Sequence, residues 1–182
     1  SDSVVNHSKP GGLSLGKLDR TRSIQLLKAG SSHCKHLRMI MVWMDVTGPR
    51  MWWQQMATYR FVESVSTSTM HTIMKKEFTQ NDFEEFIVPK TIGLLNVYRQ
   101  SYLDAKEKKD QEDMDFWFRK VKLLLPEAYL QKRTLMLSYA SLANIYDQRK
   151  NHRLGEWHSF LSACEKQLPY PELFTGKTEE NE

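Results

Sequence analysis

The segment that most restricts the fold runs from Leu37 to Val46 (LRMIMVWMDV), nearly continuous in Met, Ile, Val and Trp and closed by Thr47-Gly48-Pro49. An apolar run this short, stopped by a Gly-Pro turn, predicts a strand rather than a helix. Successive apolar positions put side chains on both faces, so both faces are expected to be covered. Pro49 stands at a helix-starting position, and Trp52, Trp53, Met56 and Tyr59 or Arg60 follow at helical spacings. Beyond them, five of the six residues from Ser64 to Thr69 are Ser or Thr, a stretch expected as a loop. Paired tryptophans, an arginine and clustered hydroxyls this close together read in two ways. They form a phosphate or nucleotide pocket, or a core helix followed by a solvated loop.

The rest of the chain supplies the context. With 182 residues, 40% of them hydrophobic and 26% charged, it has the make-up of a soluble globular protein with a real core. The expected organisation is a flexible N-terminal arm over 1–16, a single globular domain over 17–175 and a disordered tail over 176–182. No apolar run approaches the roughly 18 residues that span a membrane, and no secretory leader is recognisable. The expected setting is therefore cytoplasmic, with no membrane partner. Cys34 and Cys164 stand far apart without a CxxC pair, which argues against a disulfide framework or a zinc site. His33-Cys34-Lys35-His36 offers too few ligands for a metal and reads as a polar connector, so no metal is expected.

A helix is expected from Lys17 to Ala29, ended by Gly30. Another is expected to start at Thr79-Gln-Asn-Asp82 and carry Phe83, Phe86 and Ile87, with Pro89 interrupting it before a helix through Ile92, Leu95 and Tyr102. Residues 104–115 are dense in both signs of charge and predict a solvated face. Phe116 to Leu125 reads as an apolar helix stopped near Pro126, and a long helical pattern is expected from Glu127 to Arg149. A last helix, Glu156 to Gln167, sets Trp157, Phe160, Leu161 and Cys164 on one face. The sum is α+β, a mostly helical domain with at least one buried strand.

Three basic clusters remain as candidate sites: Arg60 with Ser64, Ser66, Thr67 and Ser68; Gln131-Lys132-Arg133; and Arg149-Lys150-Asn151-His152-Arg153 with Glu156. Guanidinium groups pair with phosphate, and hydroxyls complete such a site. The candidates for binding phosphate or nucleic acid are Arg60, Ser66, Ser68, Lys132, Arg133, Arg149, His152 and Arg153. Trp52, Trp53 and Tyr59 are the candidate interaction aromatics. Lys150 and Arg153 have a plainer reading as cations offsetting a helix C-terminus. No nucleophile–base pair, Gly-rich phosphate loop or carboxylate couple is legible, so no catalytic residue is assigned.

The order of segments resembles the flavin-dependent thymidylate synthases. That family's signature is Arg-His-Arg, seven residues, then Ser; here Thr58-Tyr59-Arg60 is followed by seven residues and Ser68. Leu125-Pro126, Ser138-Tyr-Ala140-Ser141-Leu142, Arg149 and His152-Arg-Leu-Gly-Glu156 stand at further matching positions, so the resemblance covers about residues 30–165. It implies a synthase-like fold, flavin and nucleotide as ligands, and a homo-oligomer with shared sites. The departures fall on the chemistry: Thr58 and Tyr59 replace arginine and histidine, Ser138 and Ala140 replace asparagine and arginine, and Arg153-Leu154 replaces Ala-Gln. At about 1.5–3 kcal/mol for each charged hydrogen bond, these losses amount to several kcal/mol of ligand binding. The resemblance implies a kept scaffold and a dismantled catalytic site, with no cofactor expected.

His33 to His71 and Gln131 to Phe174 also resemble small proteins from phages and mobile elements of gut Firmicutes, among them anti-CRISPR proteins. A net charge of +4 and a pI near 9.0 suit an anionic or nucleoprotein partner. The expectation is a non-enzymatic counter-defence protein in an infected bacterial cell. It would inhibit the type II RNA-guided DNA nuclease by binding the effector nuclease, its guide RNA or DNA. The alternatives are a surviving FAD- and nucleotide-dependent enzyme, or a nucleotide sponge.

Overall fold

Gly48-Pro49 ends a strand and opens a helix in the computed structural model of the chain, which describes residues 4–5, 13–66 and 72–177. In chain order, β1 (Val4–Val5) pairs antiparallel with β2 (Leu13–Ser14) and leads to α1 (Lys17–Lys28). Two 3-10 turns, Ser31–His33 and Lys35–Met39, precede β3 (Met41–Pro49) and α2 (Arg50–Met56). Next come β4 (Val62–Ser66), a 3-10 turn at Gln80–Asp82, α3 (Pro89–Glu107) and α4 (Gln111–Leu124). The chain continues through β5 (Leu130–Ser138), α5 (Tyr139–Arg149), α6 (Gly155–Gln167) and α7 (Glu172–Thr175). The three longer strands form one antiparallel sheet in the order β3-β5-β4. The fold is mostly helical α+β.

Several expectations change. The strand begins at Met41, because Lys35–Met39 is wound into a 3-10 turn. Its two faces are not both covered: Val42 is buried, whereas Met41 and Trp43 are exposed, Trp43 at 65%. Ser64, Val65 and Ser66 belong to β4 and not to a loop. The long helix expected from Glu127 is a strand followed by a helix. In β5 the buried Leu135 and Leu137 alternate with exposed Lys132 and Thr134, a period of two that the run of leucines hides. Thr79 starts no α-helix; its hydroxyl and the Asp82 carboxylate form a capping box around a single 3-10 turn. Pro89 starts α3 at its first position, where its missing N–H costs no hydrogen bond. The tail from Thr178 onward and most of the arm, residues 1–3 and 6–12, lie outside the described residues.

The chain divides into two units. One takes the residues up to Trp43, Tyr59–Glu63 and Met136 onward. Its centre is α5, whose Leu142 and Ile145, three residues apart, are fully buried, as are Leu37, Leu137 and Trp157. Each contributes about 1.5–3 kcal/mol by leaving water. The α5 helix packs on the Lys35–Met39 turn and on α7, where Phe174 meets Tyr139 edge-on at 5.4 Å. The Tyr139 hydroxyl donates to the Pro169 carbonyl; burial, with the nearby Glu172 charge, pushes its pKa up to about 12. Helix α1 also lies on α7, with Arg20 and Glu172 3.5 Å apart. In the His33–His36 connector, His36 Nε2 lies 2.7 Å from the Ser23 hydroxyl, and the buried Cys34 thiol points at the Gly30 carbonyl. Among the described residues no group of His, Cys, Asp and Glu is arranged to hold a metal, and no helix is long and apolar enough to cross a membrane.

The other unit takes Met44–Thr58 and Ser64–Leu135. The short Lys108–Asp110 turn makes α3 and α4 an antiparallel pair. Asp110 caps α4 by accepting from the Asp113 N–H at 3.1 Å. Leu95 and Val121 are fully buried between the helices, in one cluster with Phe78, Phe83 and Leu125. Asn96 pins this core by donating to the Phe78 carbonyl and accepting from its N–H, at 2.9 and 2.8 Å. The charge-dense residues 104–115 are solvated apart from Ala105 and Met114. Helix α2 is tied down at its start: Arg50 donates to the Leu125 carbonyl at 2.7 Å and faces Glu127 at 3.4 Å.

Candidate functional site

Tyr59, Arg149 and Trp157 meet in the first unit. Ser138 caps α5, its hydroxyl accepting from the Ser141 N–H, and three turns later the helix delivers Arg149 at its last position. Arg149 Nε donates to the Tyr59 hydroxyl at 2.6 Å. The same guanidinium lies 4.8 Å from the centre of the Trp157 ring and 5.5 Å from that of Tyr59. The two rings meet edge-on at 5.9 Å, and Trp157 is fully buried in the first turn of α6. Cation–π attraction and a charge-assisted hydrogen bond therefore hold one arginine against two aromatic side chains. By the resemblance drawn from the sequence, Tyr59 stands where the synthase motif has histidine. Its ring and hydroxyl here serve the chain's own arginine.

His152 lies beside this cluster, its ring 6.4 Å from Trp157. Its Nδ1 accepts from the Leu154 N–H at 3.2 Å, which leaves Nε2 to carry the proton. Partial burial, and then the positive charges of Arg149 and Arg153, lower its pKa, so the imidazole is mostly neutral at pH 7. It adds no cation to the site. Arg60 and Arg153 are exposed. Phe61, between Arg60 and Val62, is 85% exposed and has a left-handed φ of 60°.

The second unit gathers a different subset. The Lys132 ammonium lies 2.7 Å from the Asp45 carboxylate, which also accepts from the Thr134 hydroxyl at 2.6 Å. The hydrogen bond from Lys132 and then that from Thr134 hold the Asp45 carboxyl below the usual range. Arg133 stacks on the other side of β5, 4.6 Å from the Trp53 ring centre, and donates to Gln131 Oε1 at 2.8 Å. Burial lowers its pKa, and its Nε has no hydrogen-bond partner among the described residues. The tryptophans are not the interaction aromatics expected of them. Trp52 and Trp53 are buried at 1% and 2% exposure, and Trp53 Nε1 donates to the Gly48 and Gln131 carbonyls, both at 2.9 Å. Trp53 brings its large apolar area into the core with its indole N–H satisfied.

Of the residues singled out from the sequence, the structure brings Tyr59, Arg149 and His152 together in one unit, and Trp53, Lys132 and Arg133 in the other. Ser66 is exposed on β4. Ser68, the position that completes the family spacing, lies outside the described residues. Sequence reasoning assigned Trp157 to the core and missed its second role as a plate for Arg149. The signal was the aromatic that follows the matching Glu156. It also missed Asp45 as the partner of Lys132, because that pairing is a cross-strand neighbourhood 87 residues apart.

No family model and no curated protein matches the chain. Among solved structures, it is similar to two of the flavin-dependent thymidylate synthase ThyX from Helicobacter pylori, both with FAD and dUMP. Each has a TM-score of 0.63 at 15% identity; they cover 91% and 93% of this chain, and it covers 84% of theirs. The cation of the cluster described above is Arg149. Its Nε and its approach to Trp157 are taken up internally, and the neighbouring imidazole is mostly neutral. No step is derived through either ligand. The polypeptide has the fold of the flavin-dependent thymidylate synthases, with Arg149 held against Tyr59 and Trp157.

Proposed function

We propose that this chain is a non-enzymatic binding protein built on the synthase fold, a phage counter-defence factor that inhibits the type II RNA-guided DNA nuclease. The observation that carries the non-enzymatic part is the Tyr59–Arg149 hydrogen bond of 2.6 Å, together with Trp157 against the same guanidinium. The Nε–H of this arginine is taken by Tyr59, and its flat face lies against Trp157. The partner is argued from the surface. The basic balance of +4 favours a nucleoprotein, and exposed Trp43, Phe61 and Phe86 supply apolar contact of the kind that protein interfaces use. Exposed Arg60 and Arg153 supply charge for encounter.

The test has two arms. The purified protein should be colourless and take up no added FAD in a visible absorbance titration. It should also retain guide-loaded nuclease on a column at low salt and release it as salt rises, as counterion release requires. Flavin bound near one per chain would overturn the non-enzymatic reading and favour the enzyme. Failure to retain the nuclease, its guide or DNA at low salt would sink the proposed partner.

A further inference from the structure

We propose that the groove between α5 and α6 binds a small organic phosphate, a ligand of phosphomonoester class, at a place separate from the Arg149 cluster. The groove lies wholly within the first unit and encloses about 470 Å³, a volume in the range of small-molecule sites. Its floor comes from a single stripe of α6. His158, Leu161, Ser162, Glu165 and Lys166 follow the i, i+3, i+4, i+7, i+8 spacing of one helix face. The end of α5 supplies Tyr146 and Lys150, four residues apart, and Lys177 completes the wall from beyond α7.

The charges are unbalanced. Three lysines, Lys150, Lys166 and Lys177, line the groove with one acidic residue, Glu165. Lys177 is paired with Glu165 at 2.7 Å and stands 5.6 Å from the Tyr146 ring centre. Lys150 is paired at 2.8 Å with Asp147, which does not line the groove, and its side chain stays 45% exposed. Lys166 has no ion-pair partner among the described residues. Lysines bind phosphate as point charges, and the Ser162 hydroxyl can donate to a phosphate oxygen. Leu161 and the Tyr146 ring give the groove an apolar side, which suits an organic group attached to that phosphate. A nucleic-acid backbone is better served by an open, continuous basic track with stacking aromatics.

The geometry also fixes the sign of one effect. Glu165 competes with an incoming phosphate for Lys177, so removing its charge should strengthen binding while removing a lysine charge weakens it.

Calorimetric titration of the full chain with adenosine monophosphate and with pyrophosphate tests this. One site per chain with a Kd below about 1 mM is expected for adenosine monophosphate. Pyrophosphate, which lacks the organic group, should bind more weakly. Lys166→Glu and Lys150→Glu should each weaken binding by at least about tenfold, the loss of one charged contact. Glu165→Gln should tighten it several-fold. Lys106→Glu, the same charge change at the exposed end of α3, should leave it unaltered; circular dichroism checks that each variant is folded. The proposal is overturned if no saturable binding occurs, if Lys106→Glu weakens binding as much as Lys166→Glu, or if Glu165→Gln weakens it. Pyrophosphate binding as tightly as the nucleotide would remove the organic-ligand class. Binding seen only with DNA or RNA, growing with strand length, would replace the small ligand by a nucleic-acid surface.

Discussion

Tyr59→Phe separates the hydrogen bond to Arg149 from the ring contacts around it. The variant keeps the aromatic face 5.5 Å from the guanidinium and the edge-on contact with Trp157, and deletes only the hydroxyl that accepts from Nε. Hydrogen bonds to charged groups contribute about 1.5–3 kcal/mol net; Tyr59 is only half-buried, so the low end applies, about 1–1.5 kcal/mol. Arg149→Met keeps much of the stem and loses both the bond and the cation–π contacts, at about 0.5–1 kcal/mol for each ring, so it should cost about 2–3 kcal/mol. Combining the two gives a double-mutant cycle with an expected coupling of about 1 kcal/mol, because both variants delete the same hydrogen bond. Urea unfolding followed by tryptophan fluorescence reads these differences, since Trp157 lies in the cluster. In a thermal scan each kcal/mol should appear as about 2–4 °C for a chain of this size. A coupling below about 0.3 kcal/mol, or Tyr59→Phe indistinguishable from the parent, would refute the reasoning. The guanidinium would then not be held by Tyr59, and the case for a closed site would fall with it.

Three further predictions concern the second unit. A Cβ added at Gly48 would stand 3.1 Å from Trp52 Cε3, and the buried ring cannot yield, so Gly48→Ala should destabilise by about 1–3 kcal/mol; Gly93→Ala, on the exposed side of α3 with nothing nearby, should stabilise by about 0.5–1 kcal/mol, both read from urea midpoints. Burial acts to raise the Asp82 carboxyl, but hydrogen bonds from Lys76, the Thr79 N–H and the Thr79 hydroxyl outweigh it and hold its pKa below the usual carboxylate value. A depressed folded-state pKa gives stability that is present above the unfolded pKa near 3.9 and lost as pH falls through the folded value, so the advantage of the parent over Asp82→Asn should shrink below about pH 4. An advantage that stays constant down to strong acid would contradict it.

Local chemistry made much of the element list legible. Gly30 and Pro126 stop helices α1 and α4 near the predicted places, and the α6 stripe Trp157, Phe160, Leu161 and Cys164 is buried as its spacing requires. These features depend on neighbours within a turn or two. The synthase-like fold was also legible, although identity to those structures is only 15%.

What the sequence could not decide depends on partners far along the chain. β5 looked helical because Leu130, Leu135 and Leu137 suit either period; only pairing between β3 and β4 makes it a strand. Trp52 and Trp53 could equally have faced a ligand. The close approach of Trp52 to Gly48 and the two carbonyls at Trp53 Nε1 put both in the core. The sequence alone placed an arginine, Arg149, at the end of a helix. Only the tertiary structure determined what that arginine holds. Tyr59 and Arg149 are 90 residues apart, and a hydrogen bond across that separation exists only after the intervening chain has folded.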